Sequence, residues 1–160
     1  MTSPAGHALI RPAITADISA LVALEAGFPE EDRFSRRTWQ RLLKGNAAVL
    51  LAESAGSVTG AAVTLFRAGT TVARLYSISV SDAARGSGLS SRLLEESETI
   101  SRQNGSSWMR LEVRETNVRA IRLYERHGYR VMARAIGYYP DGEAALRMEK
   151  PLDGLPREDQ

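Results

Sequence analysis

The chain has 160 residues, 43% of them hydrophobic and 25% charged, with a net charge of +2 and no cysteine. That is enough apolar side chain for one domain with a real core, but no stretch approaches the roughly 18 apolar residues that cross a bilayer, and the basic residues are interspersed with acids rather than gathered into a nucleic-acid stripe. The lack of cysteine excludes a thiolate nucleophile and a cysteine metal site, so neither nucleic acid, membrane nor metal is expected as a partner. Met1 to Gly6 lacks the basic and apolar regions of a secretory leader, and the expected compartment is the cytoplasm.

Ala8 to Arg11 predicts a short strand that ends at Pro12. Thr15 or Asp17 can cap a helix whose apolar positions Ile18, Leu21, Val22 and Leu24 repeat at helical spacing, with Gly27 past its end. Ser35 can cap a second helix bearing Trp39, Leu42 and Leu43, stopped by Gly45. Three strand-like runs follow at 47–53, 58–67 and 71–80. The breaks at 55–57 and 68–70 read as hairpin turns, which makes these strands antiparallel. A helix from about Gly88 to Asn104 carries Leu89, Leu93 and Ile100 on one stripe, with Gly105 as its stop. A strand over 108–114, a helix over 117–127 ended by Gly128, and strands over 129–135 and 144–150 complete the order. This predicts an α/β (α+β) domain over 1–152, with one mixed, mostly antiparallel central sheet flanked by helices. Residues 153–160 read as a polar, frayed tail.

Two places carry chemistry. Between the strand ending at Val80 and the helix opening at Gly88 lies Arg85-Gly86-Ser87-Gly88-Leu89-Ser90-Ser91. Glycines permit the sharp turn and close approach needed there. The first-turn amides of the following helix lack intrahelical acceptors and sit at the positive end of its dipole, which suits an anion. Arg85 adds a cation, and Ser90 and Ser91 add hydroxyls. A P-loop needs Lys then Ser or Thr after its second glycine, and a dinucleotide fingerprint needs a third glycine where Ser91 stands; neither fits. A lone G-x-G is weak, since a plain loop before a helix also accounts for it.

The second place is the helix over 117–127. Asn117 and Tyr124 are seven residues apart and share a face, with the small Ala120 between them. Asn117 also suits the N-cap. Tyr124 reads either as a core aromatic or, aimed into a pocket, as a competent acid. On the preceding strand, alternation sets Met109, Leu111 and Val113 on one face and Arg110 and Glu112 on the other. Glu112 then either pairs with Arg110 or Arg114 or serves catalysis.

These residues resemble the GNAT superfamily of acetyl-CoA-dependent N-acetyltransferases. Arg85, Gly88 and Ser90 occupy the fixed positions of Q/R-x-x-G-x-G/A, with Ser90 departing from the usual Gly or Ala. Asn117, Ala120, Leu123, Tyr124, Gly128 and Tyr129 match N-x-x-A-x-x-L-Y-x-x-x-G-F/Y. Leu111 to Arg114, Gly137 to Pro140 and Leu146 to Lys150 further resemble the ribosomal-protein N-terminal alanine acetyltransferases and the protein Nα-acetyltransferases. The resemblance is strong from about Tyr76 to Leu152.

It implies a GNAT-like fold and acetyl-CoA as acetyl donor. By that resemblance the backbone of Ile78, Ser79 and Val80 pairs with the pantetheine arm, the turn from Gly86 to Ser91 holds the pyrophosphate, and Asn117 hydrogen-bonds the cofactor arm. Tyr124 protonates the departing thiolate, Glu112 is the general base, directly or through water, and Tyr138 and Tyr139 line the substrate cleft opposite Phe28, Glu30 and Asp32. The expected reaction is direct attack of a primary amine in a ternary complex, by a monomer or homodimer. The leading acceptor is a protein or peptide α-amine. Small amines are the runner-up (a polyamine, amino acid or aminoglycoside), and a non-catalytic acetyl-CoA sensor is the reading from another class.

Overall fold

Among the described residues, seven strands and four α-helices follow one another in the order the hydrophobic spacing predicts. They are β1 (Leu9–Pro12), α1 (Ile18–Leu24), α2 (Arg36–Lys44), β2 (Ala47–Ser54), β3 (Ser57–Leu65), β4 (Val72–Val80), α3 (Leu89–Gln103), β5 (Trp108–Arg114), α4 (Val118–Arg126), β6 (Arg130–Ala135) and β7 (Ala145–Pro151). The computed structural model describes residues 8–152, so the expected N-terminal and C-terminal ends, including the tail 153–160, lie outside the described residues. Among the described residues no helix is long and apolar enough to cross a membrane.

The strands form one sheet in the order β1-β2-β3-β4-β5-β7-β6. All neighbours are antiparallel except β4 and β5, which the α3 crossover makes parallel. The sheet is buried on both faces at β2 and β3, and the alternation along the strands sorts their side chains. On β2, Val49 and Leu51 pack with Ile18 and Leu21 of α1 and Trp39 and Leu42 of α2. Leu50 and Ala52 point the other way, to Leu89 and Leu93 of α3. Met109, Leu111 and Val113 of β5 join Leu94, Tyr124, Tyr129 and Met148 on the α3–α4 side.

Several local features differ from expectation. Glu30–Asp32 and Asp82–Ala84 form single 3-10 turns. A third, Thr15–Asp17, precedes α1, and Asp17 does not cap that helix by its side chain. Its carboxylate instead accepts the Ile14 N–H at 2.7 Å and a two-pronged bond from Arg11. Those bonds hold it well below the usual carboxylate range, the Arg11 bond being the main cause. Ser35 caps α2 as expected, its Oγ accepting the Thr38 N–H at 3.1 Å.

β4 carries the largest departure from regularity. Val63 pairs with Ser77 and Thr64 with Leu75, so Tyr76 is an extra residue, a β-bulge that reverses which way the following side chains point. Ala73 and Leu75 face α3 before the bulge, and Ile78 does so after it. The parallel pairing with β5 runs only from Val72–Trp108 to Leu75–Leu111. Beyond that point β4 follows β3 up to Gly60–Val80 while β5 follows β7 up to Arg114–Ala145. The sheet therefore splits between β4 and β5.

The β2–β3 hairpin closes through Ala55 and Gly56, both at positive φ (52° and 82°), the backbone of a type I′ turn. Alanine is strained there, by about 1–2 kcal/mol, and asparagine tolerates it. Ala55→Asn should raise stability in urea denaturation by about 0.5–1 kcal/mol, and Ala55→Val should lower it.

Candidate active site

The split leaves the backbone edge of Ile78 to Val80 facing an open wedge rather than a strand. Such an edge offers N–H and C=O groups to an extended ligand. The wedge continues into a cleft of about 640 Å³, well within the range of about 300–1,000 Å³ for small-molecule sites. Ile78 and Val80 form its inner wall, the Arg85–Ser91 turn one end, and Asn117, Ala120 and Tyr124 of α4 the opposite wall. The two sequence motifs thus meet across one cavity.

The turn is built for close backbone approach. Gly86 and Gly88 lie at φ 78° and 88°, a Cβ on either would meet no other atom within 4 Å, and both line the cleft. Gly88 is the N-cap of α3 and brings no side chain to cap it. The Leu89 N–H is met by Ser87 Oγ at 3.4 Å, while the next first-turn amides, those of Ser90 and Ser91, keep their donors for an anion. The hydroxyls divide. Ser87 Oγ donates to Ala84 O, which locks the turn. Ser91 Oγ lies 3.1 Å from His127 Nε2 and ties α3 to the end of α4. Ser90 lines the cleft with its side chain half-buried. Arg85 lines it too, held by Asp82 at 3.2 Å.

Asn117 caps α4, its Oδ1 accepting the Ala120 N–H at 3.2 Å, and lines the cleft at the same time. Tyr124 is buried one side of the cleft, edge-on to Tyr129 with ring centroids 5.7 Å apart. Burial, reinforced by the nearby Tyr139, pushes its phenol up to about 12, so it stays protonated at neutral pH. Tyr129 in turn donates to the buried Glu98 at 2.8 Å, and Lys150 Nζ reaches the other Glu98 oxygen at 2.9 Å. This anchor fixes α3, the motif aromatics and β7 together.

Glu112 lies on the opposite face of the sheet, just past the last β4–β5 pair. Its partners are neither Arg110 nor Arg114. Arg74 Nε donates to Oε1 and Arg147 Nε to Oε2, both at 2.9 Å. Arg110 is occupied by Glu149, and Arg114 by Asp32, Asp141 and Glu143. The reason is register: Arg147 sits directly across from Glu112 on β7, and Arg74 projects from the same face of β4. Tyr138 accepts a hydrogen bond from Arg74 at 2.8 Å, and Tyr139 stacks under Arg114 with the guanidinium 4.1 Å from its ring centre. Burial, then Tyr138, raises the Tyr139 phenol above its ordinary value. Asp32 and the tyrosine pair are therefore joined through Arg114. Phe28 is half-buried, and Glu30 is exposed on its 3-10 turn.

Some contributors had no clear sequence signal. Gly60 lies where α3 crosses β3, and a Cβ there would stand 3.0 Å from Leu93 Cδ1 and 3.1 Å from Ser79 O. Arg74 and Arg147 depend on pairings that no spacing reveals. Arg119, Arg122 and Arg126 line the outer cleft and were not singled out from the sequence; their i, i+3, i+7 spacing on one helix face is the signal that could have found them. Ser79 is the one residue of the Ile78–Val80 run that is buried away from the cleft lining.

Residues 15–129 match the model of the Acetyltransferase (GNAT) family, and the chain belongs to that family of acetyl-transferring enzymes. Over 79 residues it is 37% identical to an N-alpha-acetyltransferase of Saccharolobus solfataricus, covering 49% of this chain and 47% of that protein. Over another 79-residue alignment it is 37% identical to the N-terminal acetyltransferase B complex catalytic subunit naa20 of Schizosaccharomyces pombe, covering 47% and 44%. The matched region spans about half the length of these curated relatives. The crystal structure of the ribosomal-protein-S18-alanine N-acetyltransferase from Escherichia coli superposes with a TM-score of 0.79 at 28% identity, covering 91% of this chain and 94% of that one. The GNAT fold is shown by that likeness.

The close approach at Gly60 holds α3, and with it the phosphate turn, against the sheet. Gly60→Ala should lower stability by about 1–3 kcal/mol through overpacking, read from the urea midpoint. An unchanged midpoint would mean that α3 moves freely.

Proposed function

We propose that this protein transfers the acetyl group of acetyl-CoA to a primary amine, and that its acceptor is the α-amine at a protein or peptide N-terminus. The observation that carries the reading is the split between β4 and β5. It joins a cleft bearing an anion-binding turn and a protonated phenol to an opposite face bearing a carboxylate and two tyrosines. Acetyl-CoA held along Ile78 to Val80 would present its thioester towards the junction, where an amine could enter from the other face. The turn from Gly86 to Ser91 holds the pyrophosphate, and Asn117 holds the cofactor arm. The proposed cytoplasmic location belongs to the same reading.

Chemistry then follows from the residues present. The neutral amine nitrogen attacks the thioester carbonyl carbon, and a backbone amide near Val80 stabilises the oxyanion. The C–S bond breaks and Tyr124 gives its proton to the departing sulfur. The proton shed by the amine passes to Glu112, directly or through water. Each Glu112 oxygen already accepts one arginine bond and keeps a lone pair for this.

A peptide acceptor is favoured because the tyrosine loop is open. Tyr138 is exposed and meets Tyr139 edge-on at 5.0 Å, leaving hydroxyls for a peptide backbone. The similarity to enzymes named for N-terminal acetylation supports the same choice.

Tyr124→Phe should cut kcat by about 100-fold or more while CoA affinity stays within about threefold. Because the folded phenol is raised to about 12, Tyr124 keeps its proton through pH 10, and kcat should show no alkaline fall centred at the ordinary tyrosine value. Unchanged turnover in the variant removes Tyr124 from the acid role. Mass spectrometry of a peptide library with acetyl-CoA should find the acetyl group on the α-amine. Acetylation of polyamines, amino acids or aminoglycosides alone would select the small-amine reading, and CoA binding without any transfer would select the sensor.

A further inference from the structure

One buried carboxylate takes no part in the chemistry above. Glu25 is the C-cap of α1, and only 2% of it is exposed. That is an expensive place for a charge, because water is excluded and a helix C-terminus is the negative end of its dipole. Burial pushes the carboxyl above its usual range, while the Phe34 N–H and then the nearby Arg33 pull the other way. Ile18 and Leu21 on the same helix are ordinary apolar core residues, and an apolar residue at 25 would avoid both costs. Its bonds show what the carboxylate does.

Glu25 holds the segment between α1 and α2 at both ends. Its main-chain carbonyl accepts the Phe28 N–H at 2.9 Å, and its side-chain Oε1 accepts the Phe34 N–H at 2.7 Å. Between them, Arg33 Nε donates back to Phe28 O at 2.8 Å, and Asp32 is drawn to Arg114 of β5 at 3.7 Å. Phe34 stands just before the Ser35 cap of α2 and meets Trp39, the fourth residue of that helix, edge-on at 5.1 Å. This is a hydrophobic staple, which fixes the angle at which the chain enters the helix. The Phe34 ring also stacks on Tyr76, the bulge residue, at 5.4 Å. Arg74, a partner of Glu112, lies over the Tyr76 ring at 5.6 Å. A continuous run of contacts thus leads from Glu25 through Phe34 and Tyr76 to the face where the amine enters.

We propose that Glu25 is a positioning residue for the acceptor: its carboxylate clasps Phe34, and through it sets the 28–34 loop and the Tyr76 ring in the arrangement that admits an amine. The inference rests on the acetyl-transfer reading only for what enters that face. Glu25 touches no reacting atom and lies on the side of the sheet away from the cofactor cleft, so its effect falls on the acceptor and not on CoA. A carboxylate holds a backbone N–H more strongly than a neutral acceptor does, which accounts for a charge where the core would otherwise take an apolar side chain.

The test compares Glu25→Leu, which keeps the bulk and removes the acceptor, with Glu25→Gln, whose side-chain oxygen still accepts the Phe34 N–H. Thermal midpoints confirm that both full-length variants fold. Hydrogen exchange reads the bond itself: the Phe34 amide should exchange at least about tenfold faster in Glu25→Leu and stay largely protected in Glu25→Gln. Turnover is measured with acetyl-CoA and two acceptors, an alanine-terminated hexapeptide and spermidine. Glu25→Leu should raise the acceptor KM by about fivefold or more, because apparent affinity falls with the fraction of molecules whose loop is in place. Its kcat and its CoA affinity should stay within about twofold of the wild type, and Glu25→Gln should recover most of the KM. An unmoved KM in Glu25→Leu, equal losses in the two variants, or a parallel loss of CoA affinity overturns the positioning role. A wild-type protein that acetylates neither amine overturns the proposed function instead. The clasp is then judged by calorimetric binding of the same two amines to the CoA-loaded protein. Weakening in Glu25→Leu alone upholds it, and no weakening, or no binding to the wild type, overturns it.

Discussion

Tyr76, the extra residue in β4, sets the geometry on which the site depends. A parallel pair would normally run the full length of β4 and β5, and here it stops after four residues. The bulge increases the local twist and swings the end of β4 towards β3. β5 meanwhile stays with β7. What opens is a wedge with solvated backbone groups on one wall, which costs little while water fills it. An extended ligand can then replace that water, making a strand where the sheet lacks one.

Both sides of the wedge are braced. On one, Gly60 lets α3 pack against β3 so closely that even a methyl group would stand 3.0 Å from Leu93 Cδ1 and 3.2 Å from Leu89 Cδ2. That fixes the first turn of α3 relative to the end of β4. On the other, the buried Glu98 draws together Tyr129, Lys150 and, at 3.9 Å, Arg102. Removing one partner from such a buried charge typically costs about 3–5 kcal/mol. The bracing reaches Tyr124 through its edge contact with Tyr129, so the phenol is held while the cleft in front of it stays open.

The sequence was most legible where local rules act. Among the described residues, hydrophobic spacing located the four α-helices and the seven strands but not the 3-10 turns, and Gly86, Gly88 and Asn117 announced their backbone roles because turns and caps are decided within a few residues. The cleft was legible too, because its two motifs are contiguous runs. What escaped was whatever depends on pairing between distant strands. The Tyr76 bulge leaves no composition mark, and β7 enters between β5 and β6, so Arg147 lands opposite Glu112 rather than a nearer arginine. Asp17 looked like a cap and instead serves Ile14 and Arg11, because Arg11 on β1 outcompetes the helix amides for it.

The central claim is that the split in the sheet is where coenzyme A lies. Backbone amide chemical shifts recorded while CoA is added test it without any assumption about the acceptor. The account predicts that the perturbed amides are those of Ile78 to Val80, Gly86 to Ser91 and Asn117. Perturbations gathered instead at the smaller polar pocket around Asn46, Arg67 and Asn104, at the far end of the sheet, or no saturable change at all, would contradict it.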